Sequence, residues 1–320
     1  MTAPPATEEA RAWVSRVHGP VGADDVEVRK HRPWATVWRM RTAAGVVWAK
    51  QTCPGHAAEA AVHRLLVAAR PAAVVPLLAC NDDERRLLTA DAGPTLAEAG
   101  AASGPDAALL VQVMVEGAVL QRAAAASPAL ETCGARLLAP GSHAAYAEQA
   151  LEQLSTLPAE DPRHVGADEA AGLRASLPRV ERWDEQVGAL GLPLTVQHND
   201  LHPGNAVAIE GRIAFFDFAD AVVAGPLGAL LRPLGALAEH LQRPATDPAV
   251  LDLAEPALEV WSDLAPPSAL RAALPAALRL GMLQGLEPWL SFYPTMDEQD
   301  VRDWGPVAPM LLREALSPTR

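Results

Sequence analysis

The chain has little of what usually advertises a function. Its 320 residues include 3 cysteines, Cys53, Cys80 and Cys133. They lie far apart with no Cys-x-x-Cys pair, so neither a disulfide framework nor a zinc cluster is supported, and a reducing cytoplasm is the expected compartment. Lysine is almost missing. It stands only at Lys30 and Lys50, every other basic residue being arginine, and neither lies in Gly-Lys-Ser/Thr. That excludes a P-loop. No basic run occurs, and 26 basic against 39 acidic residues leave a formal charge of −13. A nucleic-acid partner is therefore not expected, and the acidity speaks to solubility or to a cationic ligand. No stretch stays apolar for the roughly 20 residues of a membrane span. The most apolar, "AALLVQVMVEGAVLQRAAAA", is interrupted by Gln112, Glu116 and Gln121. The opening "MTAPPATEEARAW" carries glutamates and no apolar core, unlike a secretory signal.

What is present is alanine and alternation. Half the residues are hydrophobic and only 4% aromatic, which points to helices packed through small side chains. A first helix is expected around "EEARAWVSRVHG". The segment "DVEVRKHRPWATVWRMRTAAGVVWAKQ" reads as strands punctuated by a hairpin turn at "RTAAG". Helical spacing follows in "HAAEAAVHRLLVAA", then short strands in "AVVPLLAC" and "RRLLTADAG". This order fits a small antiparallel sheet carrying a helix. Past "DAGP" the character turns helical, interrupted by the strands "AVAIE" and "RIAFFDF". The expected division is a sheet-rich unit over 1–92 and a helical unit over 93–320.

The polar residues collect where the pattern otherwise predicts core, in "HNDLHPGNAVAIEGRIAFFDF" (198–218). His198-Asn199-Asp200 is followed by Asn205, and Asp217 ends an apolar strand. This is the spacing H-x-D-x-x-x-x-N followed by D-F-x, the catalytic loop and metal-binding turn of kinases. The chemistry explains the residue types. Phosphoryl transfer depends on positioning and charge neutralisation, so it needs a carboxylate to orient the attacking hydroxyl, here Asp200. It also needs hard oxygen ligands for Mg²⁺, here Asn205 and Asp217. His198 is expected to pack under the loop and hydrogen-bond backbone. Upstream, "VVWAK" closes a strand on Lys50, suited to the α- and β-phosphates, and Glu59 opens the next helix in position to pair with it.

With those motifs in hand, the chain resembles the aminoglycoside phosphotransferase and choline kinase-like superfamily, small-molecule kinases of the protein-kinase fold. Within it the likeness is to an actinobacterial-type group of undefined substrate. "HRPWATVWRMRTAAGVVWAK" and "TVQHNDLHPGN…FFDFADAVVAGPLGALL" carry the resemblance over about residues 26 to 240. It implies an α+β bilobal fold, with a small antiparallel-sheet N-lobe bearing one helix and a larger, mainly helical C-lobe. It implies ATP or GTP between the lobes, with the base against the connector at Thr89, Ala90 and Ala92, and Mg²⁺ on Asn205 and Asp217. The acceptor would be a hydroxyl of an antibiotic, sugar or amino alcohol. Three departures stand out. "HRPWATV" has no glycine where a phosphate lid would lie, leaving backbone amides and Thr36 to that task. Ala219 replaces the glycine after Asp-Phe. Gly228 stands where many relatives place an aspartate that props the catalytic loop.

Other readings stay open. Each of Asp200, Asn205 and Asp217 alone would be a turn or cap residue. Asp220 supports a second metal or caps a turn. His198 and His202 as metal ligands would suggest a metallohydrolase, but Pro203-Gly204 breaks the helix that would align them. A long peptide-presenting segment with Ala-Pro-Glu is missing after Asp217, which favours a small acceptor over a peptide Ser/Thr. A nucleotide-binding scaffold without turnover is the alternative from another class. The acids Asp297, Glu298, Asp300 and Asp303 could meet a polycation or form a solvated face, and Trp289 could line the cleft or pack.

Overall fold

The computed structural model describes residues 6–100 and 106–317. The first five residues of the opening segment, and the outermost ends of both expected units, lie outside the described residues.

The first part is a twisted sheet with one helix on each side. Helix α1 (Thr7–Val17) precedes strands β1 (Val26–Arg32), β2 (Ala35–Thr42) and β3 (Gly45–Thr52), then α2 (Glu59–Ala69), β4 (Leu77–Asn81) and β5 (Arg86–Ala90). All neighbours pair antiparallel in the order β1-β2-β3-β5-β4. The hairpin at "RTAAG" is where the turn residues place it, with Thr42 opposite Gly45. Period-two alternation then decides what each face does. Trp38, Met40, Val47, Ala49 and Leu88 point to α1, burying against Trp13 and Val14. Lys50 points the other way, toward α2 and the second lobe.

The remainder is helical. Helices α3 (Leu96–Gly100) and α4 (Ala107–Ala124) lead to strand β6 (Leu137–Leu138) and helices α5 (His143–Ser155), α6 (Ala167–Arg174) and α7 (Leu177–Gly188). Strands β7 (Thr195–Gln197), β8 (Ala206–Ile209), β9 (Arg212–Phe215) and β10 (Val222–Ala224) follow. Helices α8 (Leu231–Leu241), α9 (Pro248–Leu251), α10 (Glu255–Glu259), α11 (Pro267–Gln284), α12 (Glu287–Phe292), α13 (Glu298–Trp304) and α14 (Val307–Leu316) close the chain. The α+β bilobal fold is as the sequence led us to expect. The hairpin β8-β9 was legible, whereas the small sheet β6-β10-β7 was not. By length and composition α4 is apolar enough to span a membrane; here it runs through the interior, burying Leu110, Val113, Met114 and Leu120.

One core cluster ties the two parts together. Val62, Leu65 and Leu66 of α2 pack with Val113 and Leu120 of α4, Val196, Leu201, Phe215 and Phe218. The segment 198–218 is thus built on the same apolar contacts that seat α2. The hydrogen bond from Val75 N to Phe215 O, 3.0 Å, adds a backbone tie beside it.

Candidate active site

Between the lobes, Lys50 meets two acids. Its Nζ donates to Glu59 Oε1 at 2.8 Å and to Asp217 Oδ1 at 2.6 Å, bringing together residues 167 positions apart. Lys50 is 9% exposed and Glu59 2%. Burial alone disfavours the ammonium, but Asp217 and Glu59 outweigh it, so the Lys50 pKa lies above its ordinary value. Glu59 is lifted to about 7 by burial and by Asp217, against the pull of Lys50. Asp217, more open to solvent, goes the other way: Lys50 overcomes burial and holds its carboxyl below the usual range. Lys30, the chain's other lysine, acts on Asp217 in the same sense.

Backbone geometry turns these side chains into the cleft. Asn199 and Asp217 adopt φ of +60° and +62°, a left-handed conformation that Asn and Asp tolerate better than most residues. At Asp217 the turn sends Phe218 into the core, 1% exposed, while the carboxylate stays with Lys50. His198 is scaffold in the geometry: its Nε2 meets Phe216 O at 3.0 Å and its ring lies 5.0 Å from that of Phe218.

Asp200 is held from three sides. Its Oδ2 accepts from Asn205 Nδ2 at 2.9 Å and lies 3.2 Å from His202 Nε2. Its Oδ1 accepts from Arg232 Nη2 at 2.8 Å and Nε at 3.2 Å. Burial pushes this carboxyl up, yet His202 and Arg232 more than offset it and keep the pKa well below the carboxylate range. Asp220, half-buried nearby, is raised to about 7 by burial and by the charges of Asp217 and Asp200. It makes no side-chain hydrogen bond among those of the described residues.

A divalent cation fits the donor set. Lys50 occupies Asp217 Oδ1, and the Asn205 amide nitrogen is engaged with Asp200. That leaves Asp217 Oδ2 and the Asn205 amide oxygen, hard ligands of the kind Mg²⁺ prefers when phosphates complete its shell. Among the described residues no group of three or more His, Cys, Asp or Glu forms a self-sufficient metal cage.

The remaining expected residues fall as follows. Thr89 and Ala90 lie on β5 beside Trp48 and Val47, and Ala92 follows in the connector, packed against the Val75, Val207 and Ala214 cluster. Thr36 sits in β2 rather than in the loop, its hydroxyl 2.9 Å from His31 Nδ1. The tip of that β1–β2 hairpin carries Trp34, which packs edge-on against Trp289, Phe292 and Trp304 at 4.9–5.8 Å between centroids. Trp289 therefore packs, and an aromatic contact fastens the hairpin tip to the C-terminal helices. Asp297 and Asp300 form a capping box at the start of α13. Arg232 and Trp34 went unrecognised in the sequence. Arginine at the start of a helix has no motif, and Trp34 shows its role only through partners far along the chain.

A sheet-bearing lobe that supplies a lysine–glutamate pair to a helical lobe carrying His-x-Asp and Asp-Phe defines a kinase-like phosphotransferase. The chain belongs to the phosphotransferase enzyme family, whose model matches residues 22–228. Solved structures agree in fold. A macrolide 2'-phosphotransferase from Brachybacterium faecium is similar at 16% identity and TM-score 0.57, covering 99% of each chain. An ethanolamine kinase from Plasmodium vivax is similar at 9% identity and TM-score 0.60, covering 99% of this chain and 96% of its own. A spectinomycin phosphotransferase in complex with ADP and spectinomycin gives 10% identity and TM-score 0.53, covering 99% and 96%. None of the curated proteins matches the sequence.

Proposed function

We propose that this phosphotransferase moves the γ-phosphate of ATP or GTP to a hydroxyl of a small molecule, with Asp200 as base. The observation that carries the reading is the convergence of Lys50, Glu59 and Asp217 beside Asp200 and Asn205. Lys50, held by Glu59, would grip the α- and β-phosphates as a fixed point charge. Asp217 and Asn205 would hold Mg²⁺, which supplies neutralisation of phosphate charge. Asp200 would accept the proton as the hydroxyl oxygen attacks phosphorus, and the nucleoside diphosphate leaves with the bridging electrons. Thr89, Ala90 and Ala92 would border the base, and backbone amides with Thr36 would cover the phosphates. The ADP in the spectinomycin phosphotransferase structure supports a nucleotide in this cleft. The acceptors named for the similar structures, a macrolide, ethanolamine and spectinomycin, support a small hydroxylated acceptor such as an antibiotic, sugar or amino alcohol. Three free cysteines suit a reducing cytoplasm. No nucleic acid or membrane enters this scheme.

A second reading, a nucleotide-binding scaffold, draws on Arg232 lying across Asp200 Oδ1. Turnover separates the two. Asp200→Ala should lower phosphate transfer by roughly 10²–10⁴-fold, the usual contribution of a general base, and leave Mg·ATP affinity nearly intact. Joint loss of both would make Asp200 a fold residue. Asp217→Ala should weaken Mg·ATP far more than metal-free ATP. A thermal-shift screen with ATP, GTP and a panel of hydroxylated antibiotics, sugars and amino alcohols should reveal the acceptor, because a ligand of the native state raises its apparent stability. Nucleotide binding with no transfer to any acceptor would favour the scaffold.

A further inference from the structure

We infer that a buried relay, Gln121–Gln197–Gln284–His143–Asp184, positions the catalytic loop, and that residue 228 is glycine because the relay fills the space of a side chain there. The inference rests on the reading of Asp200 as base.

Every member is buried, at 0–7% exposure. Asp184 of α7 can only accept. Its Oδ2 takes the His143 main-chain N–H at 3.0 Å, and its Oδ1 lies 2.7 Å from His143 Nδ1. Nδ1 must then carry the hydrogen, which leaves His143 Nε2 to accept from Gln284 Nε2 at 3.0 Å. That orients Gln284 so that its Oε1 accepts from Gln197 Nε2 at 2.7 Å. Gln197 Oε1 in turn accepts from Gln121 Nε2 at 3.2 Å. At the far end, Gln121 Nε2 also faces the carbonyls of Val196 and Pro226 at 3.2 and 3.3 Å. Carbonyls, like the carboxylate, only accept. Both ends of the relay therefore impose the same polarity on every amide between them.

The relay touches the loop at two points. Gln197 is the last residue of β7, immediately before His198. Asn199 Nδ2 donates to the main-chain oxygen of Gln284 at 3.3 Å and to that of Asp220 at 2.9 Å. Asp200 is thus flanked by anchors to α11 and to the turn after Asp217. Gly228 lies against the central bond: a Cβ there would stand 2.3 Å from Gln197 Nε2, 2.6 Å from Gln284 Oε1 and 3.2 Å from Gly281 Cα. A satisfied buried network rigidifies what it holds, and one missing partner leaves its neighbour unpaired. These are positioning residues, acting on Asp200 through the backbone of the loop.

The test compares Gln284→Leu with Gly228→Ala, which keeps every polar partner but displaces Gln197 and Gln284 and crowds the backbone of Gly281. Hydrogen–deuterium exchange of the metal-free protein should quicken over residues 197–205 while the rest of the helical lobe keeps its rates. Hydrolysis of Mg·ATP, with water as acceptor, should fall at least tenfold in turnover with KM for Mg·ATP unchanged within twofold. Unaltered loop exchange in both variants, or exchange raised equally throughout the lobe, overturns the proposal, as does unaltered turnover. Asp200→Ala is run beside them. Full hydrolysis in that variant would sink the role of Asp200 itself, whereas its loss together with unaltered turnover in Gln284→Leu and Gly228→Ala sinks only the relay.

Discussion

Two polar groups lie at similar depth and are built on opposite principles. Around Lys50, one ammonium answers Glu59 and Asp217 while Asp220 and Asp200 add negative charge close by. Around Gln284, amides, an imidazole and one carboxylate donate and accept in a single order, with each neighbour satisfied. The first group is short of positive charge. The second is complete. On the proposed function, a cleft that is to receive a metal-bound triphosphate would keep acids unneutralised until the cation arrives, whereas a support for the loop has no such need. The difference separates residues that do chemistry from residues that hold them still.

The sharpest way to break the comparison is to remove the ammonium. Lys50→Met leaves Glu59 and Asp217 facing each other without a cation, and breaking a buried pair from one side costs about 3–5 kcal/mol. Denaturant midpoints should fall accordingly, and affinity for nucleotide phosphates should fall with them. If stability dropped while nucleotide binding survived, Lys50 would belong with the supports.

A gentler probe uses pH. Asp220 and Glu59 are both raised to about 7 in the folded protein, from ordinary values near 4. An acid whose folded pKa lies above its unfolded one binds its proton more tightly when folded. The stability this contributes is complete below about pH 4 and is lost as pH rises through about 7. Urea midpoints of the metal-free protein should therefore decline between pH 5 and pH 8, and Asp220→Asn should flatten the decline. Parallel curves for the two proteins would remove Asp220 from the crowded group.

How much of this was legible follows from how each group is encoded. His198, Asp200, Asn205 and Asp217 are close in sequence because one loop and one hairpin present them all, so their spacing survives in the chain as a pattern. Lys50 and Glu59 ride on a strand end and a helix start that hydrophobic periodicity locates. The relay leaves no such trace. Gln121, His143, Asp184 and Gln284 sit on four separate helices, and which of them meet depends on how α4, α5, α7 and α11 pack. Gly228 carried the one readable hint, a glycine in place of an expected acid, and its reason is visible only with the amides in place. The strands β6, β7 and β10 escaped for a simpler cause: at two or three residues each they are too short to show alternation.

Arg232 stands between the two groups, and the smallest expected effect tests to which it belongs. Its side chain is 60% exposed, so its ion pair with Asp200 should contribute no more than about 1 kcal/mol to stability. Yet of the two Asp200 oxygens, Oδ2 is engaged by Asn205 and faces His202, while Oδ1 is covered by Arg232. On the proposed mechanism, Oδ1 would be the oxygen that an incoming hydroxyl meets once the guanidinium gives way. Removing Arg232 also withdraws a charge that helps hold the Asp200 carboxyl low. With Asp200 as the proposed base, which would act ionised, Arg232→Ala should move the acid limb of the pH–rate profile upward by roughly one unit or less, with turnover at pH 8 kept and the denaturant midpoint barely changed. An unmoved acid limb with lost turnover at pH 8 would instead make Arg232 a contact of the phosphates or the acceptor, and place it with the residues that do the chemistry.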